Sequence, residues 1–225
     1  MPASLPVLCA CGLAAEARIA RAAGFQVVVG AGNPQRTASL IAAAAPGATC
    51  LVSFGIAGGL APHLSPGDVI LSTEIISDDR RWRPDPHFEG DMADLARRIG
   101  ATAGPVLGAS GILATAADKR RAWQETGALA VDLESAIVAC AAEAAGIPFV
   151  VLRSIADPAR RALPPAALIP LAADGAPALR RVFAEVMRRP QQIAALFGLA
   201  RDTSRALTAL AGPARALRLA LAETA

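Results

Sequence analysis

Short apolar runs alternate with helical patterns along most of the chain. Runs rich in β-branched and other apolar residues predict buried strands at residues 7–11, 25–29, 50–54, 69–76, 106–109 and 149–154. Helical patterns cover residues 14–23, 33–45, 115–125, 133–145 and 176–188 and resume beyond residue 190. Repeated strand–helix units of this kind predict an α/β fold with a central mixed β-sheet flanked by helices.

The charge distribution separates a body from a tail. Residues 180–225 carry 8 arginines and 3 acidic residues, whereas residues 1–179 carry 14 basic and 16 acidic residues. We therefore expect one α/β domain over residues 1–179, with a basic helical tail rich in Ala, Leu and Arg over residues 180–225 packed on it. The near-neutral body lacks the basic stripe of a nucleic-acid-binding domain, so nucleic acid is not an expected partner.

Several common sites are excluded by missing motifs. The 4 cysteines and 2 histidines have no zinc-ligand spacing, so no metal site is expected. The sequence Gly-Ala-Gly at residues 30–32 lacks the third glycine of a dinucleotide fingerprint, and neither a P-loop nor a Gly-x-Ser-x-Gly motif occurs. Residues 1–15 carry no charge, unlike a targeting signal, and glycines and prolines interrupt the uncharged stretch 37–67. We expect a cytoplasmic protein.

Three segments follow predicted strands, where ligands bind in sheets of this class. Residues 53–60 form a small-residue turn that would offer backbone N–H donors to a ligand, or one that only packs tightly. Residues 131–136 place two acids at the start of a helix, either as functional groups or as complements of the helix dipole. Residues 150–158 deliver an aspartate at a strand end, where it is a candidate acid or a simple turn former before proline.

Four motifs together resemble one family of enzymes. They are Phe-Gly-Ile-Ala-Gly-Gly-Leu (54–60), Pro-Gly-Asp-Val-Ile (66–70), Val-Asp-Leu-Glu-Ser-Ala (131–136) and Arg-Ser-Ile-Ala-Asp (153–157). In order and spacing they are similar to the purine nucleoside phosphorylase and methylthioadenosine/adenosylhomocysteine nucleosidase superfamily. The resemblance implies a three-layer α/β fold, a homo-oligomer, and cleavage of the N-glycosidic bond of a purine nucleoside without a metal or organic cofactor.

The resemblance also implies roles for particular residues. Asp157 matches the general acid that hydrogen-bonds purine N7, so its environment is expected to keep it protonated near neutral pH. Glu134 matches the glutamate that binds the ribose 2′- and 3′-hydroxyls, and Leu133 stands where the family usually has methionine under the ribose. Glu16 matches the glutamate that orients the attacking water in the nucleosidases. Acid catalysis of this type contributes about 10²–10⁴-fold.

Further residues are expected around the substrate. The nucleophile pocket would be lined by Gly30, Ser53, Gly55 and Gly58, and the purine would be bordered by Ile112 and Leu113. Two departures from the family pattern matter. Ala156 replaces the serine that often precedes the aspartate, and the arginine cluster that holds phosphate in hexameric phosphorylases is not evident, which leaves Arg36 as the one candidate anion contact. The missing arginine cluster and the Glu16 match favour hydrolysis, with phosphate as an alternative co-substrate.

A finer resemblance concerns the 5′ group of the substrate. The Gly-Leu-Ala-Ala-Glu start (12–16), the segment 157–168 and the arginine-rich tail resemble the hopanoid-associated phosphorylase branch, which is thought to remove adenine from adenosylhopane. The loop 78–91, with Trp82 and Phe88, would then shape an apolar channel for a long substituent. The tail is either a helix packed on the body or a basic amphipathic surface that contacts anionic lipid.

Three alternatives remain at this stage. One is phosphorolysis of a purine nucleoside, and another is an ordinary methylthioadenosine substrate. The third is a nucleoside-binding module without turnover, which Ala156 keeps open.

Overall fold

The computed structural model describes residues 6–78, 80–85 and 91–223. Within them the strands are β1 Val7–Cys11, β2 Gln26–Val29, β3 Cys50–Gly59, β4 Val69–Ser77, β5 Arg80–Trp82, β6 Thr102–Gly108, β7 Ala130–Asp132 and β8 Phe149–Asp157. The α-helices are α1 Ala14–Ala22, α2 Pro34–Ala44, α3 Met92–Ile99, α4 Ala116–Thr126, α5 Ser135–Ala145, α6 Leu179–Arg188 and α7 Ile193–Glu223. Two 3₁₀ helices, Pro165–Leu168 and Pro190–Gln192, lie between β8 and α7.

The strands form one mixed sheet in the order β2-β1-β3-β7-β6-β4-β5, and β8 pairs with both β3 and β4. The strands β1, β2, β3 and β8 are mutually parallel through their pairings, whereas β7 is antiparallel to β3 and β4 is antiparallel to β8. Because β8 joins β3 to β4 and the path through β7 and β6 joins them again, the sheet closes into a ring of five strands. This closure holds the ends of β3, β7 and β8 close together.

Helices cover both faces of the sheet. Alternate residues of β1 point to opposite sides, as the two-residue period of a strand requires. Val7, Cys9 and Cys11 pack in a core with residues of α1, α3 and α7. Leu8 and Ala10 pack in a second core with residues of α2 and α5. The predicted α/β fold, with a central mixed sheet flanked by helices, is therefore confirmed.

The glycine-rich segment after residue 54 was expected to be a turn, and this expectation is wrong. Strand β3 continues to Gly59, because β8 pairs with it along residues 51–58 and β7 pairs with Gly58 and Gly59. Pairing on both sides compensates for the weak strand propensity of glycine. The strand carries an irregularity between Ala57 and Gly58, where its register against β8 shifts.

Helix α7 is an integral part of the body. From Ala206 onwards it buries a stripe of apolar residues against β8 and α1, namely Ala206, Leu210, Ala214, Leu217, Ala220 and Leu221. Its first turns leave Ile193 and Phe197 exposed. Among the described residues, no helix is both long and apolar enough to cross a membrane.

Candidate active site

A cavity of about 400 Å³ opens where β1, β3 and β8 end. Since these strands are parallel, their carboxyl ends lie at one edge of the sheet, where α/β proteins bind ligands. The cavity floor is formed by residues after β1, by the end of β3 and by Asp157. One side is closed by the segment 163–171, which includes the first 3₁₀ helix.

Glu16 lies on the cavity wall in the first turn of α1 and is 2% exposed. One carboxylate oxygen, Oε2, accepts the backbone N–H groups of Gly12 at 2.9 Å and Leu13 at 2.8 Å, and Oε1 accepts that of Ile56 at 2.8 Å. Burial raises the pKa of Glu16 above its usual value, and the Arg153 cation and the three N–H donors offset part of this rise. The side chain is thus held rigidly in one position, with an oxygen lone pair still free to accept a proton.

A fully buried arginine, Arg153, acts electrostatically on this carboxylate and lowers its pKa. Arg153, on β8, pairs with Asp132 through Nε at 2.5 Å and donates from Nη2 to Ser53 Oγ at 2.5 Å. Its Nη1 is buried and has no hydrogen-bond partner within the part of the chain that the structure describes. A Cβ built on Gly55 would lie 2.4 Å from Glu16 Oε1 and 2.8 Å from Arg153 Nη1. The missing side chain of Gly55 therefore leaves room for the glutamate and the guanidinium together.

Glu134 shares the cavity with Glu16 and precedes helix α5. Its Oε2 lies 3.7 Å from Arg153 Nη2. Burial raises the pKa of Glu134 to about 7, the nearby Arg153 opposes the rise, and the negative charges of Asp132 and Glu16 add to it. A Cβ on Gly12 would lie 2.7 Å from Glu134 Oε1. A side chain at position 12 would therefore push the Glu134 carboxyl group out of this place.

Asp132 stabilises the start of α5, and both of its carboxylate oxygens already have partners within the protein. It accepts the backbone N–H of Ser135 at 2.8 Å and of Glu134 at 3.1 Å, and it also binds the Ser135 hydroxyl and Arg153. Of the two acids that the sequence places before this helix, Asp132 holds the local structure, while Glu134 faces the cavity.

Asp157, the last residue of β8, lies at the cavity with its side chain 12% exposed. Its Oδ2 forms a hydrogen-bonded ion pair with the ammonium of Lys119, which is 1% exposed. Burial raises the pKa of Asp157, whereas Lys119 and Arg161 lower it in part. Gly58 faces this carboxyl, since a Cβ there would lie 3.5 Å from both of its oxygens.

The remaining wall of the cavity is apolar. It is formed by Leu13, Ile56, Ile112, Leu113, Val131, Leu133, Leu163, Leu168, Ile169, Pro170 and Leu171. Among them, Ile112 is 50% and Leu168 38% exposed, so part of this wall is open to solvent. The cavity thus combines four carboxyl groups, those of Glu16, Asp132, Glu134 and Asp157, with an apolar mouth.

Some of the expected substrate contacts are not on the cavity wall. Gly30 packs under Thr37, whose Oγ1 would lie 1.8 Å from an added Cβ, and Ala31 and Gly32 reach the cavity in its place. Ser53 and Gly55 lie behind the wall, where they contact Arg153. Arg36 is exposed and donates through Nε to Val29 O at 3.3 Å, so it takes no part in the cavity.

The expected apolar channel in the loop 78–91 is not formed by Trp82. This side chain packs with the second core, its Nε1 donates to Glu143 Oε2 at 3.3 Å, and the Arg80 guanidinium stacks on it. Phe88 lies outside the described residues. The segment 163–171 forms part of the apolar wall instead.

A family model describing the phosphorylase superfamily matches residues 6–189, which is most of the chain. The chain belongs to the phosphorylase superfamily. This membership confirms the prediction of an enzyme of the nucleoside phosphorylase and nucleosidase type. None of the curated proteins searched matches the sequence.

Solved structures share this fold over most of the chain. An S-adenosylhomocysteine nucleosidase from Streptococcus pyogenes, in complex with 5-methylthiotubericidin, has a TM-score of 0.61 at 16% identity, covering 96% of this chain and 98% of the other. The 5′-methylthioadenosine/S-adenosylhomocysteine nucleosidase of Neisseria meningitidis, with methylthio-immucillin-A, has a TM-score of 0.59 at 17% identity, covering 94% and 99%. A futalosine hydrolase mutant of Helicobacter pylori has a TM-score of 0.56 at 15% identity, covering 68% and 89%.

Two charged residues of this superfamily member were not among the expected site residues. Arg153 begins the motif Arg-Ser-Ile-Ala-Asp (153–157). A charged residue inside an apolar strand indicates a contact with buried carboxylates, because a buried charge needs a partner. Lys119 also carried a signal, because it is the single lysine among 22 basic residues of the chain. Helix α4 brings it to Asp157 from 38 residues away, a contact that the local sequence does not indicate.

Proposed function

We propose that this protein hydrolyses the N-glycosidic bond of an adenine nucleoside with a large apolar 5′ group. The observation that carries the proposal is the placement of Asp157, Glu16 and Glu134 on one cavity, with Arg153 behind the two glutamates. Cleavage of this bond requires an acid at the leaving base and stabilisation of an oxocarbenium-like sugar, much as in glycoside hydrolysis. The superfamily membership and the nucleosidase neighbours support the same chemistry.

In the proposed reaction Asp157, Glu16 and Glu134 each have one role. Asp157 donates its proton to purine N7 as the bond between C1′ and N9 breaks and its electron pair passes to the ring. Water attacks C1′ and gives up a proton to Glu16, whose place is fixed by three backbone N–H donors. Glu134, when ionised, accepts hydrogen bonds from the ribose hydroxyls, which strengthen as positive charge grows on the sugar. The products are adenine and a sugar with a hydroxyl at C1′.

Water is favoured over phosphate as the nucleophile. Of the described residues that line the cavity, Lys119 is the one cation, and it is paired with Asp157. Arg36, the expected anion contact, lies outside the cavity. A phosphate dianion placed beside Glu16 and Glu134 would meet two carboxylates, and like charges at close range are unfavourable.

The apolar mouth supports a long hydrocarbon substituent at the 5′ position. Leu168 and Ile112 continue the cavity wall to the surface, so a substituent too long for the cavity can leave it across apolar side chains. An adenosylhopane-like nucleoside, the substrate class suggested by the motifs at 12–16 and 157–168, has this form. Release of adenine from it would be a step in hopanoid side-chain biosynthesis.

Such a substrate resides in a lipid bilayer, and helix α6 is suited to contact one. Its exposed apolar residues Leu179, Phe183 and Met187 lie on one face, flanked by exposed arginines at 180, 181, 188 and 189. The same helix contacts the 3₁₀ helix that forms the cavity wall. Basic amphipathic helices of this kind bind anionic membrane surfaces. We therefore place the protein in the cytoplasm, with peripheral contact to the inner membrane face.

The test is adenine release from a series of 5′-alkylated adenosines, followed by chromatography with and without phosphate. We expect release without phosphate and a kcat/KM that rises with alkyl length. Release only with phosphate would show that the protein is a phosphorylase. A preference for the 5′-methylthio group would show that the substrate is methylthioadenosine. Binding without release would show a nucleoside-binding module. The expected homo-oligomer is measured in the same preparation by light scattering.

A further inference from the structure

The basic residues of this chain are almost all arginine, and the exception lies in the site. Lys119 is the single lysine among the 22 basic residues. It is 1% exposed, it lines the cavity, and its ammonium pairs with Asp157 Oδ2. Buried lysines are rare unless paired, since transfer of a charge from water is costly. The proposed reaction assigns Lys119 no role, although it contacts the acid directly.

The ammonium is fixed in place by two further contacts. Nζ donates to the carbonyl oxygens of Arg161 at 3.2 Å and Pro158 at 3.4 Å, both in the loop that follows β8. Its three protons are thus directed at Asp157 and at this loop. Lys119 therefore lies at a defined position on one oxygen of the carboxyl group.

This arrangement makes the two oxygens of Asp157 unequal. Oδ2 accepts from Lys119, whereas Oδ1 accepts no hydrogen bond from the residues that the structure describes. An ammonium beside Oδ2 excludes a proton from that oxygen, so the proton of the neutral carboxyl group resides on Oδ1. A carboxyl group aimed in this way offers its proton to a base bound in the cavity.

We propose that Lys119 is the positioning residue of the acid, directing the proton of Asp157 to Oδ1 and stabilising the carboxylate left after transfer to the purine. This inference rests on the proposed function, in which Asp157 is the acid. Lys119 is the group that sets the pKa of Asp157. When the C1′–N9 bond breaks, the proton passes from Oδ1 to N7, and Asp157 becomes an anion in contact with the ammonium. Lys119 keeps all three of its protons throughout.

The other charges near Asp157 are few. Arg161, in the loop after β8, is the second cation that acts on this carboxyl, and it is tied to Asp202 of α7 at 2.6 Å. The strands that pack against Asp157 present Gly58 from β3 and Val131 from β7, neither of which is charged. Lys119 is therefore the charge in direct contact with the acid, and Arg161 acts from farther away.

Because the chain has one lysine, the pair can be observed directly. Labelling with [13Cε,15Nζ]lysine gives one side-chain signal in the full-length protein. We expect this signal to shift with pH as Asp157 titrates, and the shift to vanish in Asp157→Asn. A lysine signal that does not titrate, or one that titrates equally in Asp157→Asn, would show that Lys119 does not sense the acid.

The pH dependence of kcat in two variants of Lys119 is the second test. Lys119→Gln keeps an N–H donor but removes the charge, and Lys119→Arg keeps the charge. An opposite charge in contact lowers the pKa of a carboxyl group by about 1–3 units. We expect the kinetic pKa of Asp157 to move to higher pH by about that amount in Lys119→Gln, with a lower maximal kcat, and to stay near its original value in Lys119→Arg. A fall in kcat with unchanged pH dependence would show a structural role only.

The two arms separate the inference from the proposed function. If the native protein releases no adenine, the proposed function fails, while the lysine signal still decides whether Lys119 controls Asp157. If adenine is released but the signal is insensitive to Asp157, the function stands and the inference fails.

Discussion

Among single residues, Glu16 distinguishes hydrolysis most sharply from the alternatives. Its carboxylate is buried, is held by three backbone N–H groups and is stabilised electrostatically by Arg153. The Asp157 acid would serve hydrolysis and phosphorolysis equally, whereas a base for water is needed only in the first. The variant at position 16 is therefore the informative one.

We expect Glu16→Gln to reduce kcat for adenine release by about 10²–10⁴-fold, because the amide cannot accept the proton from water. Binding of a nucleoside should change little, since the amide oxygen still accepts two of the backbone hydrogen bonds. The measurement is kcat by chromatography together with Kd by calorimetry. Glu125→Gln, at an exposed position on α4, is the matched control and should have native kinetics. Full turnover in Glu16→Gln would exclude the glutamate as the base.

Gly55 tests whether the crowding around Glu16 matters. A Cβ at this position would lie 2.4 Å from Glu16 Oε1, so Gly55→Ala must displace the carboxylate or the Arg153 guanidinium. We expect a loss of about 1–3 kcal/mol of stability, as is typical of overpacked sites, and a clear fall in kcat. Gly111→Ala is the control, since it lies on the same cavity with nothing within 4 Å of the added carbon. Equal behaviour of the two variants in thermal melts and kinetics would contradict the packing described here.

The residue scale also shows what the sequence could reveal of the site. Asp157, Glu134 and Glu16 follow strands or begin helices, and motif order was sufficient to bring them together as candidates. Lys119 could not be placed, because its contact with Asp157 depends on how α4 packs on the end of β8. Gly30 was misplaced by one position, since the chain turns at Ala31, which adopts a left-handed conformation, before it reaches the cavity.

At the scale of elements, prediction succeeded where the apolar pattern was long and failed where it was short. The three-residue strands β5 and β7 are too brief for a periodic signal, and no helix was predicted over α3, which begins at Met92 directly after the loop 78–91. Glycines in β3 suggested a turn because local propensity takes no account of the pairing partners on either side. Pairing of β8 with both β3 and β4, which closes the ring, is likewise a tertiary property.

Helix α6 carries the prediction for membrane contact. We expect the protein to bind vesicles containing anionic lipid, and binding to weaken at high salt because arginines contribute. The double variant Phe183→Ser and Met187→Ser should lose most of this binding, since it removes large side chains that are 67% and 66% exposed. Leu219→Ser is the matched control, because Leu219 is 66% exposed on α7. Vesicle flotation measures both.

Two outcomes would redirect this interpretation. Equal binding of neutral and anionic vesicles would show that the arginines play no part. If the double variant alters the mass in light scattering and leaves vesicle binding unchanged, the apolar face of α6 is an interface between copies of the chain.

For the molecule as a whole, the carboxyl groups gathered in one cavity should make stability depend on pH in an unusual direction. The pKa of Glu134 is raised by burial from its ordinary value of 4.5 to about 7. Between these two values the native state holds a proton that the unfolded chain has released. The stability that this proton contributes therefore falls as pH rises through this interval and is fully lost above the folded-state pKa. Glu16 and Asp157, whose pKa values are also raised by burial, act in the same sense.

The contribution of Glu134 is isolated by comparison with Glu134→Gln, which cannot titrate. We expect the native protein to lose about 3 kcal/mol relative to this variant between pH 4.5 and pH 7, since each unit of pKa shift corresponds to about 1.4 kcal/mol. Urea unfolding at a series of pH values measures the difference. A constant difference across this range would mean that Glu134 is ionised throughout, and Arg153 would then outweigh burial.

The same ionisation should strengthen nucleoside binding as pH rises through about 7, because a carboxylate accepts hydrogen bonds from both ribose hydroxyls. Affinity for the nucleoside thus rises over the same pH range in which the unliganded protein loses stability. This relation is expected when a buried carboxylate finds its hydrogen-bond donors on the ligand.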